Sequence, residues 1–168
     1  MNVELRLVPE SEKEILRNLL EKYSYEFSQY DKRDMNALGF YGYRYLDNYW
    51  NEDGRWAYFI EVNGKLAGFV MVNKHCAYGD TETDFNLAEF FVIYAYRRLG
   101  VGQEAFLKAL EIHKGRWQLS YLPKNIPSAL FWNKVVSEYT KCNFKLVKSH
   151  PSVIHADGSL GDVLLFDS

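Results

Sequence analysis

The sequence predicts an α/β fold, a mixed sheet carrying helices on both faces. Runs with the period of a strand alternate with runs of helical period, in the order β, α, α, β, β, β, α, β, α, β, β. One strand, within residues 85–94, is apolar on both sides at Phe90, Phe91, Val92 and Ile93, which marks it as central and covered from both faces. At 168 residues, with no internal repeat or low-complexity tract, the chain fits one domain over 1–168.

Val3, Leu5 and Leu7 alternate with Glu4 and Arg6 in a half-buried first strand that Pro9 ends. Ser11 and Glu14 have the spacing of a capping box, and Ile15, Leu16, Leu19, Leu20 and Tyr23 share one helical face. A first helix is therefore expected to about residue 27. Residues 28–54 are polar, aromatic and broken by Gly39 and Gly42, so they read as a loop with a short helix around Tyr43 to Trp50. Trp56 to Val62 and Leu66 to Val72 are β-rich runs joined by Asn63-Gly64, a dipeptide that accepts the positive φ angles of a tight hairpin.

After the polar segment Asn73 to Asp84 comes the central strand, which stops at Arg97, Arg98 and Gly100. From Val101, the residues Ala105, Phe106, Ala109, Leu110 and Ile112 recur at helical spacing, and Lys114-Gly115 supplies a basic last turn and a glycine stop. His113 beside that helix end reads as a stabilising cation. Trp117 to Leu122 is a further strand, and Pro127 opens a helix to about Tyr139. Phe144 to Val147 and Val163 to Phe166 are short closing strands around a loop with Pro151 and Asp157-Gly158.

Composition narrows the function. Twenty basic and 22 acidic side chains leave a formal charge of -2, too balanced for a general nucleic-acid or anionic-membrane binder, so any anion site must be local. The apolar runs fall short of the roughly 18 residues that a membrane span needs, and Met1 leads into charged, amphipathic sequence instead of a signal peptide. The expectation is a cytoplasmic protein. Cys76 and Cys142 form no CxxC pair and read as reduced, structural thiols; with His75, His150 and His155 they match no zinc signature, and no metal is expected. The tyrosines crowded between residues 23 and 58 either line a cleft or pack a layered core.

The sharpest local feature is Tyr96-Arg97-Arg98-Leu99-Gly100-Val101-Gly102, set between the central strand and a helix. Glycines let a backbone turn tightly and approach a ligand, and the free N–H groups of a helix start favour a phosphate by about 0.3–2 kcal/mol, to which Arg97 or Arg98 adds charge-assisted bonds. Taken alone, RxxGxG equally fits an ordinary turn before a helix. The sequence lacks GxGxxG and GxxxxGK[ST], which removes dinucleotide-fold and Walker readings.

With those residues in view, Leu87 to Gln103 resembles the fourth strand and pyrophosphate loop of the GNAT superfamily of acetyl-CoA-dependent N-acetyltransferases, whose pattern is [QR]xxGx[GA]. Arg97, Gly100 and Gly102 fill its three positions. Asn125, Ala129, Phe131 and Trp132 match a second block, N-x-x-x-A-x-F-Y, and the element order is similar over nearly the whole chain. The resemblance implies a mostly antiparallel sheet of six to seven strands in which the fourth and fifth splay apart. It also implies acetyl-CoA as cosubstrate, held by the loop Arg97, Arg98, Leu99, Gly100, Val101 and Gly102, by backbone groups near Phe91, Val92 and Ile93, and by Asn125 and Trp132. Asn125 fits equally well as a helix cap.

Acetyl transfer to an amine needs a neutral nucleophile, a donor to the developing oxyanion, and a proton for the leaving thiolate. A lysine-like amine, with a pKa of about 10.4, is protonated at neutral pH and requires a base. Glu89, in an Ala-Glu-Phe-Phe run, resembles the glutamate base of the histone-acetyltransferase branch; a solvent-facing or paired carboxylate is the other reading. The Val92 N–H is the expected oxyanion donor. Trp132 stands where the family has tyrosine, and an indole N–H is no acid near neutrality. That leaves Tyr121, Tyr139, or a thiolate that departs unaided because thiols have a pKa of about 8.5, and the unaided route is preferred.

Lacking a Ser-His-Asp or Cys-His context, the sequence favours direct attack of the amine on the thioester. The acceptor, a small-molecule or protein amine, would be chosen by Tyr23 to Trp50 and by the loops near Tyr78 to Asp84 and His150 to Ser159. Glu26, Asp31, Asp34 and Asp47 either receive its charge or form a solvated face. An acyl-CoA-binding module without transfer chemistry is the alternative, and exposed aromatics with a C-terminal strand leave a homodimer open.

Overall fold

The computed structural model describes residues 1–75 and 83–168. Cys76 and most of the expected acceptor loop Tyr78 to Asp84 lie outside the described residues. The elements are β1 (Val3–Leu7), α1 (Lys13–Asp31), α2 (Asn48–Asn51), β2 (Arg55–Val62), β3 (Lys65–Asn73), β4 (Phe85–Val92), α3 (Val101–Ile112), β5 (Arg116–Tyr121), α4 (Ile126–Thr140), β6 (Lys145–Ile154) and β7 (Leu160–Asp167). They form a seven-stranded sheet in the order β1-β2-β3-β4-β5-β7-β6. Its neighbours are antiparallel except β4 and β5, which run parallel.

Two apolar layers enclose the sheet. On one face Leu16, Leu19 and Leu20 of α1 and Tyr49 of α2 pack on Phe59, Phe69, Met71 and Phe91. On the other, Val101, Phe106 and Leu110 of α3 and Trp132 and Val136 of α4 pack on Ile60, Val70, Leu119 and Leu164. Alternate residues of β2 and β3 divide between the layers, the period-2 consequence of a pleated strand. The Asn63-Gly64 turn has φ of 49° and 74°, the conformation that its composition predicts.

Several boundaries differ from the sequence expectation. Ser11 lies in a 3₁₀ turn, Glu10–Glu12, so Glu12 becomes the cap of α1 and the expected capping box does not form. Glu12 and Glu14 serve Arg6 and Arg17 instead. Helix α1 runs on to Asp31, whose buried carboxylate is held by Arg33 at 2.6 Å, and left-handed Lys32 ends it. β6 is longer than expected and irregular, and contains Pro151.

Helix α3 stops at Ile112, without a basic last turn. His113 leaves in an extended conformation and enters an aromatic pocket, 4.6 Å from Trp56 and 5.0 Å from Phe85 by ring centroids, with its Nε2 2.9 Å from the Tyr58 hydroxyl. Burial, and then Lys74, pull its pKa below the usual histidine value, so His113 is a neutral core residue and not the expected helix-end cation.

Candidate active site

β4 and β5 share a ladder of three pairs, Phe85 with Trp117, Asn86 with Gln118 and Leu87 with Leu119. Beyond it, Ala88–Val92 and Ser120–Tyr121 continue without pairing to each other, which opens the splay between the central strands. On its other edge β4 stays bonded to β3. The peptide unit between Val92 and Ile93 is fixed at both ends, since Ile93 N–H donates to Ala67 O at 2.9 Å and Arg97 Nε donates to Val92 O at 2.6 Å. By the alternation of an antiparallel ladder, the polar groups of Phe91 and Ile93 turn to β3, whereas those of Phe90 and Val92 face the open edge. Of the three residues expected to offer backbone groups to a ligand, Ile93 thus has its N–H engaged by Ala67. Val92 N–H remains at the opening.

A β-bulge lies next to Glu89. Met71 pairs with Glu89 and Val72 with Leu87, so Ala88 is an extra residue and both Ala88 and Glu89 lie on the α1 face. Strict alternation from Phe91 keeps Glu89 on that face, and the insertion turns Leu87 into the opposite layer. The half-buried carboxylate is electrostatically coupled to the Tyr23 and Tyr43 phenols. Burial pushes the Glu89 pKa up, against the lowering effect of the two phenols and of Arg33. Burial, then the Glu89 charge, raises Tyr23 and Tyr43 above the usual phenol range, so both remain protonated. Tyr49 lies in the same nest, and burial raises its pKa to about 12. The crowded tyrosines thus do both things their positions allow: Tyr23 packs edge-on against Phe69 and Phe91 and also faces Glu89.

Beyond β4, a 3₁₀ turn over Tyr94–Tyr96 leads to Arg98 and Gly100, both left-handed with φ of 63° and 83°. The first intrahelical donor of α3 is Glu104 N–H, to Gly100 O at 3.0 Å, so the amides of Val101, Gly102 and Gln103 have no acceptor within the helix. Arg98, Leu99 and Gly100 are exposed above them, and the buried Val101 side chain anchors the turn. A Cβ on Gly100 would meet nothing within 4 Å, whereas one on Gly102 would come 3.2 Å from Phe131. Gly102 therefore lies against packing beneath the loop, and Gly100 borders open space.

Three expected ligand side chains have other partners. The Arg97 guanidinium forms a bidentate pair with Glu26, both bonds 2.7 Å, which leaves Arg98 as the exposed cation of the turn. Asn125 caps α4, its Oδ1 accepting from Ser128 N–H at 3.2 Å. Trp132 is buried and packs edge-on against Phe90, Phe106 and Phe131 at 5.1, 5.2 and 4.7 Å. The second sequence block thus supports the loop from below.

Of the tyrosines considered as acids, Tyr139 packs against the core and Tyr121 accepts a hydrogen bond from Asn133 Nδ2 at 2.7 Å. Burial raises the Tyr121 pKa, so it keeps its proton. Glu26 and Asp31 pair with Arg97 and Arg33, and Asp47 pairs with Lys13, so those acids do not form a free anionic face. His155 of the β6–β7 turn packs tilted against Phe27 at 5.8 Å, and Lys124 pairs with Asp157 to tie that turn to the segment before α4. Among the described residues no group of His, Cys, Asp and Glu could hold a metal ion.

Three solved structures share this fold over nearly all of their length. An acetyltransferase from Thermus thermophilus superposes with a TM-score of 0.68 at 16% identity, covering 100% of this chain and 98% of that one. Arabidopsis thaliana NAA60 in complex with acetyl-CoA gives 0.65 at 12% identity, covering 99% and 98%. A chimera of the Vibrio cholerae spermidine N-acetyltransferase SpeG with hSSAT gives 0.59 at 13% identity, covering 99% and 96%. No curated protein matches the chain. The family model for the acetyltransferase (GNAT) family matches residues 13–136, which takes in α1, the bulged β4, the turn and most of α4, and the chain belongs to that family.

Proposed function

We propose that this protein is an N-acetyltransferase that moves an acetyl group from acetyl-CoA to a primary amine by direct attack. The observation that carries the reading is the position of Glu89 on the strand whose open edge leads into the amides at the start of α3. Those amides, with Arg98, suit a diphosphate, and the open edge at Phe90 and Val92 suits the pantetheine arm. In the transfer the amine nitrogen bonds to the thioester carbonyl carbon, Glu89 takes the amine proton, Val92 N–H donates to the developing oxyanion, and the carbon–sulfur bond breaks. The departing thiolate needs no protein acid, because its conjugate acid has a pKa of about 8.5. The elevated carboxyl pKa of Glu89 makes it a stronger base than a solvated glutamate.

The acceptor is a small-molecule or protein amine, an assignment in line with the spermidine N-acetyltransferase among the similar structures. A cytoplasmic location belongs to the same proposal; among the described residues no helix is long and apolar enough to cross a membrane. The buried Trp132, which cannot act as an acid, favours a second reading, an acyl-CoA-binding module without transfer. Melting curves with acetyl-CoA, CoA and ATP should show selective stabilisation by the first two. Thiol release over a panel of primary amines then separates enzyme from module. Glu89→Gln should cut turnover by about 10²-fold or more. Acetyl-CoA binding without thiol release for any amine class would leave the module; unchanged turnover in Glu89→Gln would remove the base.

A further inference from the structure

The contact between Glu26 and Arg97 joins two parts of the chain 71 positions apart, helix α1 and the segment between β4 and the exposed turn. Its geometry is demanding. One guanidinium donates Nε to Val92 O at 2.6 Å and its two terminal nitrogens to the two Glu26 oxygens, each at 2.7 Å. The same plane lies 4.1 Å from the centroid of the Tyr94 ring and 5.5 Å from that of Phe91. Only arginine can fill all three donor positions with one rigid fork; a lysine at residue 97 would reach one acceptor at a time.

The carbonyl that Arg97 takes is the one that the ladder leaves at the open edge of β4. Its peptide unit is tied on the opposite side through Ile93 N–H to Ala67 O. Rotation of that unit would swing the start of the turn that holds Arg98 to Gly102. Glu26 fixes the guanidinium from the other side, and the pair is only part-exposed, with side-chain exposures of 24% and 30%. Removing Glu26 therefore frees Arg97 to leave Val92 and frees the strand end to move.

We propose that Glu26 is a positioning residue for acetyl-CoA, holding Arg97 on the Val92 carbonyl so that the open edge of β4 and the turn at Arg98–Gly102 keep the spacing the ligand needs. This inference rests on the proposed function. Glu26 does not touch the ligand; α1 acts on it through Arg97. The arrangement also links α1, which faces the acceptor side through Tyr23, to the ligand-binding turn.

Calorimetric titration of the full chain with acetyl-CoA tests the idea. Glu26→Gln, which keeps size but loses the charge, should raise the dissociation constant about tenfold, equivalent to about 1.4 kcal/mol. KM for acetyl-CoA should rise in parallel, as expected when the geometry that binds it is disturbed. Glu26→Asp should recover part of the loss. In a double-mutant cycle with Arg97→Ala the two effects should be strongly non-additive. Amide exchange over residues 98–103 should quicken in Glu26→Gln, while the β2–β3 hairpin is unchanged, which separates a local role from global destabilisation. Wild-type affinity in Glu26→Gln, or additive effects in the cycle, would overturn the inference and leave the function standing. Failure of the wild-type chain to bind acetyl-CoA would overturn both.

Discussion

Gly68 of β3 lies so close to Phe91 of β4 that a Cβ on it would fall 2.0 Å from the Phe91 carbonyl oxygen. The residue opposite Gly68 is Val92, the last of β4, so this close approach sets where the strand hands over to the turn. Backbone, unlike the end of a flexible side chain, cannot move aside locally. Gly68→Ala should therefore push the two strands apart, at a cost of about 1–3 kcal/mol. For a chain of this size each kcal/mol lowers the melting temperature by about 2–4 °C, and a thermal scan reads the result directly. A variant that melts with the wild type would show that β3 and β4 have more freedom at this point than the contact allows.

The two glycines of the turn should respond differently to the same substitution. Gly100 has φ of 83° and open space where a Cβ would sit, so alanine there meets backbone strain of about 1–2 kcal/mol and puts a methyl group into that space. Gly102 has an ordinary helical position, and its added Cβ would press on Phe131 at 3.2 Å. Acetyl-CoA affinity should fall about tenfold or more in Gly100→Ala, a change of about 1.4 kcal/mol, and far less in Gly102→Ala. Gly102→Ala should instead show itself in the melting temperature. The reverse ranking of affinities in a titration would place the ligand against Gly102.

Glu89 carries a pH signature of definite sign. Its carboxyl pKa is raised by burial above the unfolded value. Such a group adds stability that is fully present below the unfolded pKa of about 4.3 and is lost as pH rises through the folded-state value. Glutamine cannot ionise, so Glu89→Gln should melt above the wild type at neutral and alkaline pH, and the gap should close as the medium is acidified. Activity runs the other way: wild-type kcat/KM should climb as Glu89 deprotonates, and the limb should vanish in the variant. A melting difference that widened towards acid pH would mean that the carboxylate form is the stabilised one.

Much of the fold could be read from residue patterns because each signal was local. Asn63-Gly64 needed only its own φ angles to announce a hairpin, and Val101 to Ile112 needed only the recurrence of its apolar residues. The turn at Gly100 was equally visible. The capping box at Ser11 failed because the 3₁₀ turn at Glu10–Glu12 supplies the start of α1 by another route. Partners distant in sequence left no trace. Nothing near Arg97 points to Glu26, and a bulge at Ala88 depends on the register of β3, so the faces on which Leu87 and Ala88 emerge could be found only by placing the two strands together. His113 was misread for the same reason: its neutrality comes from Trp56, Tyr58 and Phe85, which belong to two other strands.

Trp132 offers the sharpest test of how the thiolate leaves. Its ring sits among Phe90, Phe106 and Phe131 with 6% of its surface exposed, so the position that carries tyrosine in the family pattern faces the core in this chain. Trp132→Tyr would shrink a packed side chain and bring a hydroxyl into an aromatic layer. The combined void and desolvation should cost about 1–3 kcal/mol of stability. Turnover should not rise, because a phenol held at that depth has no path to the leaving sulfur. Tyr121 provides the contrast, since its hydroxyl accepts from Asn133 and carries the proton that burial holds on it. Tyr121→Phe should leave kcat within about twofold if the thiolate departs unaided, and lower it by about 10²-fold if the phenol protonates it. A gain of turnover in Trp132→Tyr, measured with acetyl-CoA saturating, would instead mean that the α4 face turns towards the groove during the reaction.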